Sequence, residues 1–252
     1  MKGKVDVYAY SVLVEPKRWI ELSDKNAPWS IKYLFDKQLQ EADFIVITKL
    51  DTLKEEHANE LLRNVAGKYP DSKVLGISAR DGVGVEAWLT LVQATPPGEH
   101  WLKEIDYEKY AEAEAEMGWL NGLVTMTFPK PSDGKIICAR MIEMLAHGIA
   151  DRNCRIGHLK LLAVGPTGSV KVGLTQFGDK PGLEGAFIGP LSHLEVTVNI
   201  RATLSPGALS TILHDAVTHC AEFDNAETDI AAINTFRPGA PNPTYRYGEP
   251  GR

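Results

Sequence analysis

Phe44-Ile45-Val46-Ile47 is an unbroken apolar run between Asp43 and the polar stretch Thr48-Lys49-Leu50-Asp51. It reads as a buried strand, because aromatic and β-branched side chains fit a pleated surface. The segments around it alternate in type. Upstream, residues 5–14 are strand-like and are ended by Glu15-Pro16, since proline disrupts a ladder and restricts its predecessor. After Pro28, residues Ile31, Leu34, Phe35, Leu39 and Ala42 recur at helical spacing, and Pro28 suits a first turn, where its missing N–H is not needed. Downstream, Thr52 with Glu55 resembles a capping box and predicts a helix through Leu61, Leu62 and Val65 toward Gly67. Residues 73–78 then predict a third strand and residues 84–92 a third helix. Strand and helix alternating over residues 1–95 argue for parallel strands joined by right-handed crossovers.

The pattern changes after Pro96-Pro97-Gly98. Residues 96–120 read as a helical connector, charged and packed by Tyr107, Tyr110 and Met117. Residues 121–236 read as an α+β domain. Its elements are a strand at 123–128, a helix over 133–151, a hairpin turning at Gly165-Pro166-Thr167-Gly168, a strand at 193–203, a helix capped by Ser205 and running through Cys220, and a last strand over 230–236. Ile136, Ile137, Met141, Met144, Leu145 and Ile149 are expected on the inner side of the first of these helices. Hairpin connections fit an antiparallel sheet covered on one face by two helices. Residues 237–252 are too rich in proline and glycine for a regular element.

A 252-residue chain with 44% hydrophobic residues can bury a substantial core. A net charge of −6 and a pI near 5.7 argue against nonspecific binding to nucleic acid or to anionic membrane. The start resembles no signal peptide and no apolar run has membrane-spanning length, so cytoplasmic residence is the expectation. Cys138, Cys154 and Cys220 stand far apart and in no CxxC arrangement, and they read as buried thiols.

At the carboxyl end of a parallel strand, Thr48-Lys49-Leu50-Asp51 lies where open α/β sheets bind ligands. The stretch has the form [N/T]KxD. An aspartate there can accept two hydrogen bonds from the ring N–H and exocyclic amine of guanine. Adenine lacks that donor pair, and a buried carboxylate left unpaired costs about 1–3 kcal/mol or more. The lysine stem covers one face of the base, and the Thr48 hydroxyl does part of what an asparagine amide does. Four such residues recur by chance and also suit an ordinary strand end. The following predicted strand ends in Ser78-Ala79-Arg80, where the Ala79 N–H is placed to meet the guanine carbonyl oxygen. Two base-reading stretches on successive strands are more specific than one. A phosphate grip of the form GxxxxGK[ST] is absent: Gly-Lys occurs at Gly3-Lys4, Gly67-Lys68 and Gly134-Lys135, never followed by serine or threonine.

These stretches, with "YSVLVEPKR", "IGHLKLLAV" and "FRPGAPNPTYRYG", resemble the CobW, HypB and UreG group of metal-chaperone GTPases, most closely the CobW-like proteins of cobalamin synthesis. The resemblance implies a partial P-loop-type parallel sheet with flanking helices, followed by the α+β domain. Residues 1–95 would be the C-terminal half of a G domain, with Met1 just before the strand that follows Walker B, in a truncated or split relative. It implies a protein that binds GTP and magnesium and uses slow hydrolysis to deliver zinc, cobalt or nickel to a client metalloenzyme. By resemblance Thr48, Lys49 and Asp51 read guanine, and Ser78, Ala79 and Arg80 form the second base loop. No phosphate, magnesium, metal or catalytic residue carries over, so this chain alone is expected to be inactive as a GTPase. The alternative is a non-enzymatic pseudo-GTPase module that docks a client, a partner subunit or a second copy through an open sheet edge.

His158 and His193, each near a strand start, read as surface or structural histidines before metal ligands. His214 and His219 are five apart on one predicted helix and so face different ways. The acidic stretch at 112–116 reads as a solvated helix face, and Trp29, Trp88, Trp101 and Trp119 as packing anchors.

Overall fold

The computed structural model describes residues 8–25, 27–96 and 116–239. The chain divides into two compact units, Met1–Ala113 and Glu114–Arg252. The predicted connector lies mostly outside the described residues, as do Tyr107, Tyr110, Trp101, the acidic stretch through residue 115 and the tail from residue 240.

The first unit is built on a three-stranded parallel sheet in the order β1 (Ser11–Val14), β2 (Phe44–Ile47), β3 (Lys73–Gly76). All four side chains of β2 are fully buried, because the sheet is covered on both faces. Ile45 and Ile47 pack toward Trp19, Leu39, Leu61 and Val65, which come from α1 (Pro16–Ser23), α2 (Trp29–Glu41) and α3 (Glu55–Lys68). Phe44 and Val46 face the other way, with Ile77 and with Trp88 and Val92 of α4 (Val85–Ala94). The Trp88 indole N–H donates to Ser11 Oγ at 3.1 Å, tying α4 to β1. Trp19 meets Phe35 and Tyr69 at ring distances near 6 Å, and the Tyr69 hydroxyl donates to Asp36 at 2.6 Å. Burial, with that hydrogen bond second, raises the Tyr69 phenol far above its ordinary value.

The second unit is a six-stranded antiparallel sheet in the order β7-β6-β5-β8-β4-β9. Its strands are β4 (Gly118–Ser132), β5 (Ile156–Gly165), β6 (Gly168–Leu174), β7 (Gly182–Phe187), β8 (Leu191–Ala202) and β9 (Glu227–Phe236). One face is lined by alternate residues such as Leu120, Val124, Met126, Leu159, Leu161, Val196, Val198 and Ile200. Two helices cover it, α5 (Gly134–Ala150) over β5 and β6 and α6 (Pro206–Asp224) over β4 and β9. Asp133 caps α5 by accepting from the N–H of Lys135 and Ile136, and Ser205 caps α6 by accepting from Ala208 N–H. The mixed α/β architecture, a parallel sheet with helices and then an antiparallel sheet with two, agrees with the sequence reading.

Several local expectations are corrected. Within residues 8–14 only Ser11–Val14 is strand. Pro16 does more than end it, because it stands at the first position of a helix that the sequence reading omitted. The Thr52–Glu55 capping box does not form: Thr52 Oγ donates back to the Lys49 carbonyl at 2.7 Å, and α3 starts after Lys54 with no side-chain cap. Gly118–Leu120, placed in the connector, already belong to β4. β7, rich in glycine, escaped detection. Ile136 is 56% exposed, since it lies one residue off the inner face held by Ile137, Met141, Leu145 and Ile149. Trp29, expected as a packing anchor, is also 56% exposed.

Cys138 and Cys220 are buried between α5, α6 and the sheet, whereas Cys154 is half-buried. Burial first of all pushes the Cys138 thiol up to about 12 and the Cys220 thiol up to about 11. An unfolded thiol ionises near 8.5, so above that pH the unfolded chain holds fewer protons than the folded one. The stability contributed by the two neutral thiols is therefore complete below about pH 8.5 and declines as pH rises through the folded values. Denaturation midpoints are expected to fall between about pH 8.5 and 11, and to fall less in a Cys138→Ala, Cys220→Ala variant. A thiol reagent at pH 8 is expected to label Cys154 alone in the folded chain.

Candidate functional site

At the carboxyl end of β2 the chain turns sharply. Lys49 adopts the left-handed conformation, φ 55° and ψ 37°, which costs a non-glycine residue about 1–2 kcal/mol. Neighbouring bonds hold it there. Both the N–H and the hydroxyl of Thr52 donate to the Lys49 carbonyl, at 3.0 and 2.7 Å, and a short 3₁₀ turn runs over Leu50–Thr52. Thr48 ties the turn to β1, with its N–H and its hydroxyl both donating to the Val14 carbonyl at 2.8 and 3.3 Å. Leu50 N–H donates to the Ile77 carbonyl at 3.1 Å, which fastens the turn to the end of β3. Gly76 makes that approach possible: a Cβ there would meet Leu50 Cδ1 at 2.4 Å.

The segment after β3 is equally constrained. Ser78 is 3% exposed, and its N–H donates to the Val83 carbonyl at 2.9 Å, closing a loop that carries Ala79 and Arg80 outward. Gly84 takes φ 76°, and a side chain on it would strike the Gly76 carbonyl at 2.6 Å.

The two turns meet through Ser78. Its Oγ is 2.8 Å from Asp51 Oδ1 and 2.9 Å from Asp81 Oδ2, and it accepts from the Asp81 N–H at 3.3 Å. A hydroxyl carries one proton, so Asp51 and Asp81 share it in turn. Arg80 Nη1 lies 3.8 Å from Asp51 Oδ2; with Arg80 65% exposed this pair contributes little stability. The Asp51 side chain itself is only 18% exposed. Lys49 Nζ is 3.0 Å from Glu15 Oε1, at the end of β1. Thr48, Lys49, Asp51, Ser78, Ala79 and Arg80 therefore all stand at the carboxyl ends of neighbouring parallel strands, with Asp51 in reach of both Ser78 and Arg80. Glu15 and Asp81 are additions. Asp81 was readable in "SARDG" as a carboxylate three residues after a serine, whereas Glu15 is 34 residues from Lys49 and no local pattern connects them.

The histidines make other contacts. His158 Nε2 meets Asn199 Oδ1, and Asn199 in turn donates to Asn121 Oδ1. His193 Nδ1 lies 3.4 Å from Thr127 Oγ1. Among the described residues no group of three His, Cys, Asp or Glu side chains is placed to hold a metal ion, and no helix is long and apolar enough to cross a membrane.

No family model matches the chain, and no curated protein sequence matches it. Among solved structures, the zinc-bound YjiA GTPase from E. coli is similar over 84% of this chain and 60% of its own, at 15% identity and a TM-score of 0.28. An amidase of the hydantoinase/carbamoylase family from Burkholderia multivorans is similar over 65% of this chain and 43% of its own, at 20% identity and 0.28. Its counterpart from Burkholderia ambifaria covers 64% and 41%, at 17% identity and 0.28. The chain thus spans less than two thirds of each of these neighbours, and at such scores neither kind defines its fold or activity.

Proposed function

We propose that the chain recognises guanine through Thr48, Lys49, Asp51 and the Ser78-Ala79-Arg80 loop, as the base-reading part of a cytoplasmic CobW-like GTP-binding protein that delivers or inserts a transition metal. The reading is carried by one observation: the Ser78 hydroxyl, 2.8 Å from the Asp51 carboxylate, couples two turns on adjacent strands around a mostly covered acceptor pair. In this role Asp51 accepts from the guanine ring N–H and amine, Lys49 lays its stem along the base, Thr48 braces the turn against β1 and the Ala79 N–H meets the carbonyl oxygen. The residues present suit a guanine base. For phosphates, magnesium, zinc, cobalt or nickel no residue set is assigned, and GTP hydrolysis would need a phosphate grip from another segment or chain. Ligand-observed NMR with guanosine and adenosine is the test. Guanosine is expected to show saturable binding in the millimolar range or below, and adenosine none; equal responses would remove the reading.

A second reading, a non-enzymatic module docking a partner subunit, a client or a second copy, is favoured by the edge position of β1 among the described strands. Leu13 on β1, and Tyr8 and Tyr10 in the residues just before it, are each about half exposed. Size-exclusion chromatography over a hundredfold concentration range is expected to show self-association on this reading, and a strict monomer counts against edge pairing between copies.

A further inference from the structure

The two cations of the described site are both matched by carboxylates. Lys49 holds Glu15 at 3.0 Å, and Arg80 lies 3.8 Å from Asp51. A third carboxylate, Asp81, shares the Ser78 hydroxyl with Asp51. Among these five side chains the carboxylates Glu15, Asp51 and Asp81 outnumber the cations Lys49 and Arg80, while Lys17 and Arg18 follow in the first turn of α1, with Arg18 held by Glu21 at 2.8 Å. A base and a sugar are indifferent to a nearby carboxylate, whereas a phosphate brought close to Glu15 is repelled by it.

The place of Glu15 sharpens the effect. It follows β1 directly, at the carboxyl end of the sheet, and is the N-cap residue of α1. A helix start beside a strand end is where a phosphate ordinarily finds free N–H groups and the positive end of the helix dipole. Here the first helical position is Pro16, which has no N–H to offer, and the residue before it carries a carboxylate. That carboxylate, 23% exposed, also occupies the ammonium of Lys49.

We infer that this chain's site takes the guanine base or its uncharged nucleoside in preference to guanine nucleotides, with Glu15 as the residue that sets this preference. The inference rests on the guanine reading above. Glu15 acts in two ways, by holding Lys49 and by opposing a phosphate charge at the start of α1.

The test is an NMR titration of the 252-residue chain with guanosine, GMP and GTP, with adenosine as the base control, at low ionic strength, where charge repulsion reaches farthest. Guanosine is expected to bind best, with GTP weaker by about fivefold or more and the gap narrowing as salt is added. Glu15→Gln removes the carboxylate and releases Lys49, so the ratio of GTP to guanosine affinity is expected to rise by about fivefold or more while the circular dichroism stays native. GTP binding tighter than guanosine in the unaltered chain overturns the inference and leaves the guanine preference standing. An unchanged ratio in Glu15→Gln overturns the assignment of Glu15. Equal binding of adenosine and guanosine, or of neither, overturns the guanine reading and the inference together.

Discussion

Leu145→Ala is expected to destabilise the C-terminal unit by about 2–5 kcal/mol, among the largest single-residue effects in the chain. Leu145 is fully buried on α5, between turns that bury Ile137, Cys138, Met141, Ile142 and Ile149 with almost no exposure. Alanine there forfeits the transfer free energy of the lost carbons and leaves a cavity that close-packed neighbours on the sheet and α6 cannot fill. Because the unit's core is one continuous cluster, the loss falls on the unit as a whole. Urea denaturation followed by circular dichroism measures it as a lower midpoint. Ile136→Ala, on the same helix but 56% exposed, is expected within about 0.5 kcal/mol of the unaltered chain. Similar losses at both positions would mean that α5 is oriented differently.

Asp51→Asn is expected to weaken guanosine binding by about 10- to 100-fold and to transfer preference to xanthosine. The argument is donor and acceptor matching. Guanine presents two donors, its ring N–H and its amine, and a carboxylate accepts both. An asparagine amide accepts one and sets its own N–H₂ against the amine, leaving polar groups unpaired at about 1–3 kcal/mol. Xanthine has a carbonyl where guanine has the amine, so the same amide matches it with one bond in each direction. Paired NMR titrations of the two nucleosides against both forms of the protein measure the exchange. A substitution that weakens both ligands alike would make Asp51 a structural partner of Ser78 and Arg80 and nothing more.

The parts of the fold that could be read from sequence share a cause. Phe44–Ile47, the helix over residues 133–151, the Gly165–Gly168 hairpin and the Ser205 cap each depend on neighbours within a few positions, and so does the TKLD turn. Where a local signal had a competitor, it misled. Thr52 had two possible partners, the start of α3 and the Lys49 carbonyl, and the left-handed turn at Lys49 presented the carbonyl first. Ile136 is as apolar as Ile137, and only the direction of α5 against the sheet decided which was covered. Trp29, expected as a packing anchor, is 56% exposed, while Trp19 packs with Phe35 and Tyr69.

The amino-acid sequence by itself determined the type of most elements and the change from parallel to antiparallel architecture, because periodicity and turn chemistry are written within a few positions. Tertiary structure decided what surrounds the candidate site residues. It brought Glu15 onto Lys49 across 34 positions and set Ser78 between Asp51 and Asp81. Whether a cation is open to an incoming phosphate or already held by a carboxylate depends on distances of a few ångströms between strands, and no local spacing encodes them.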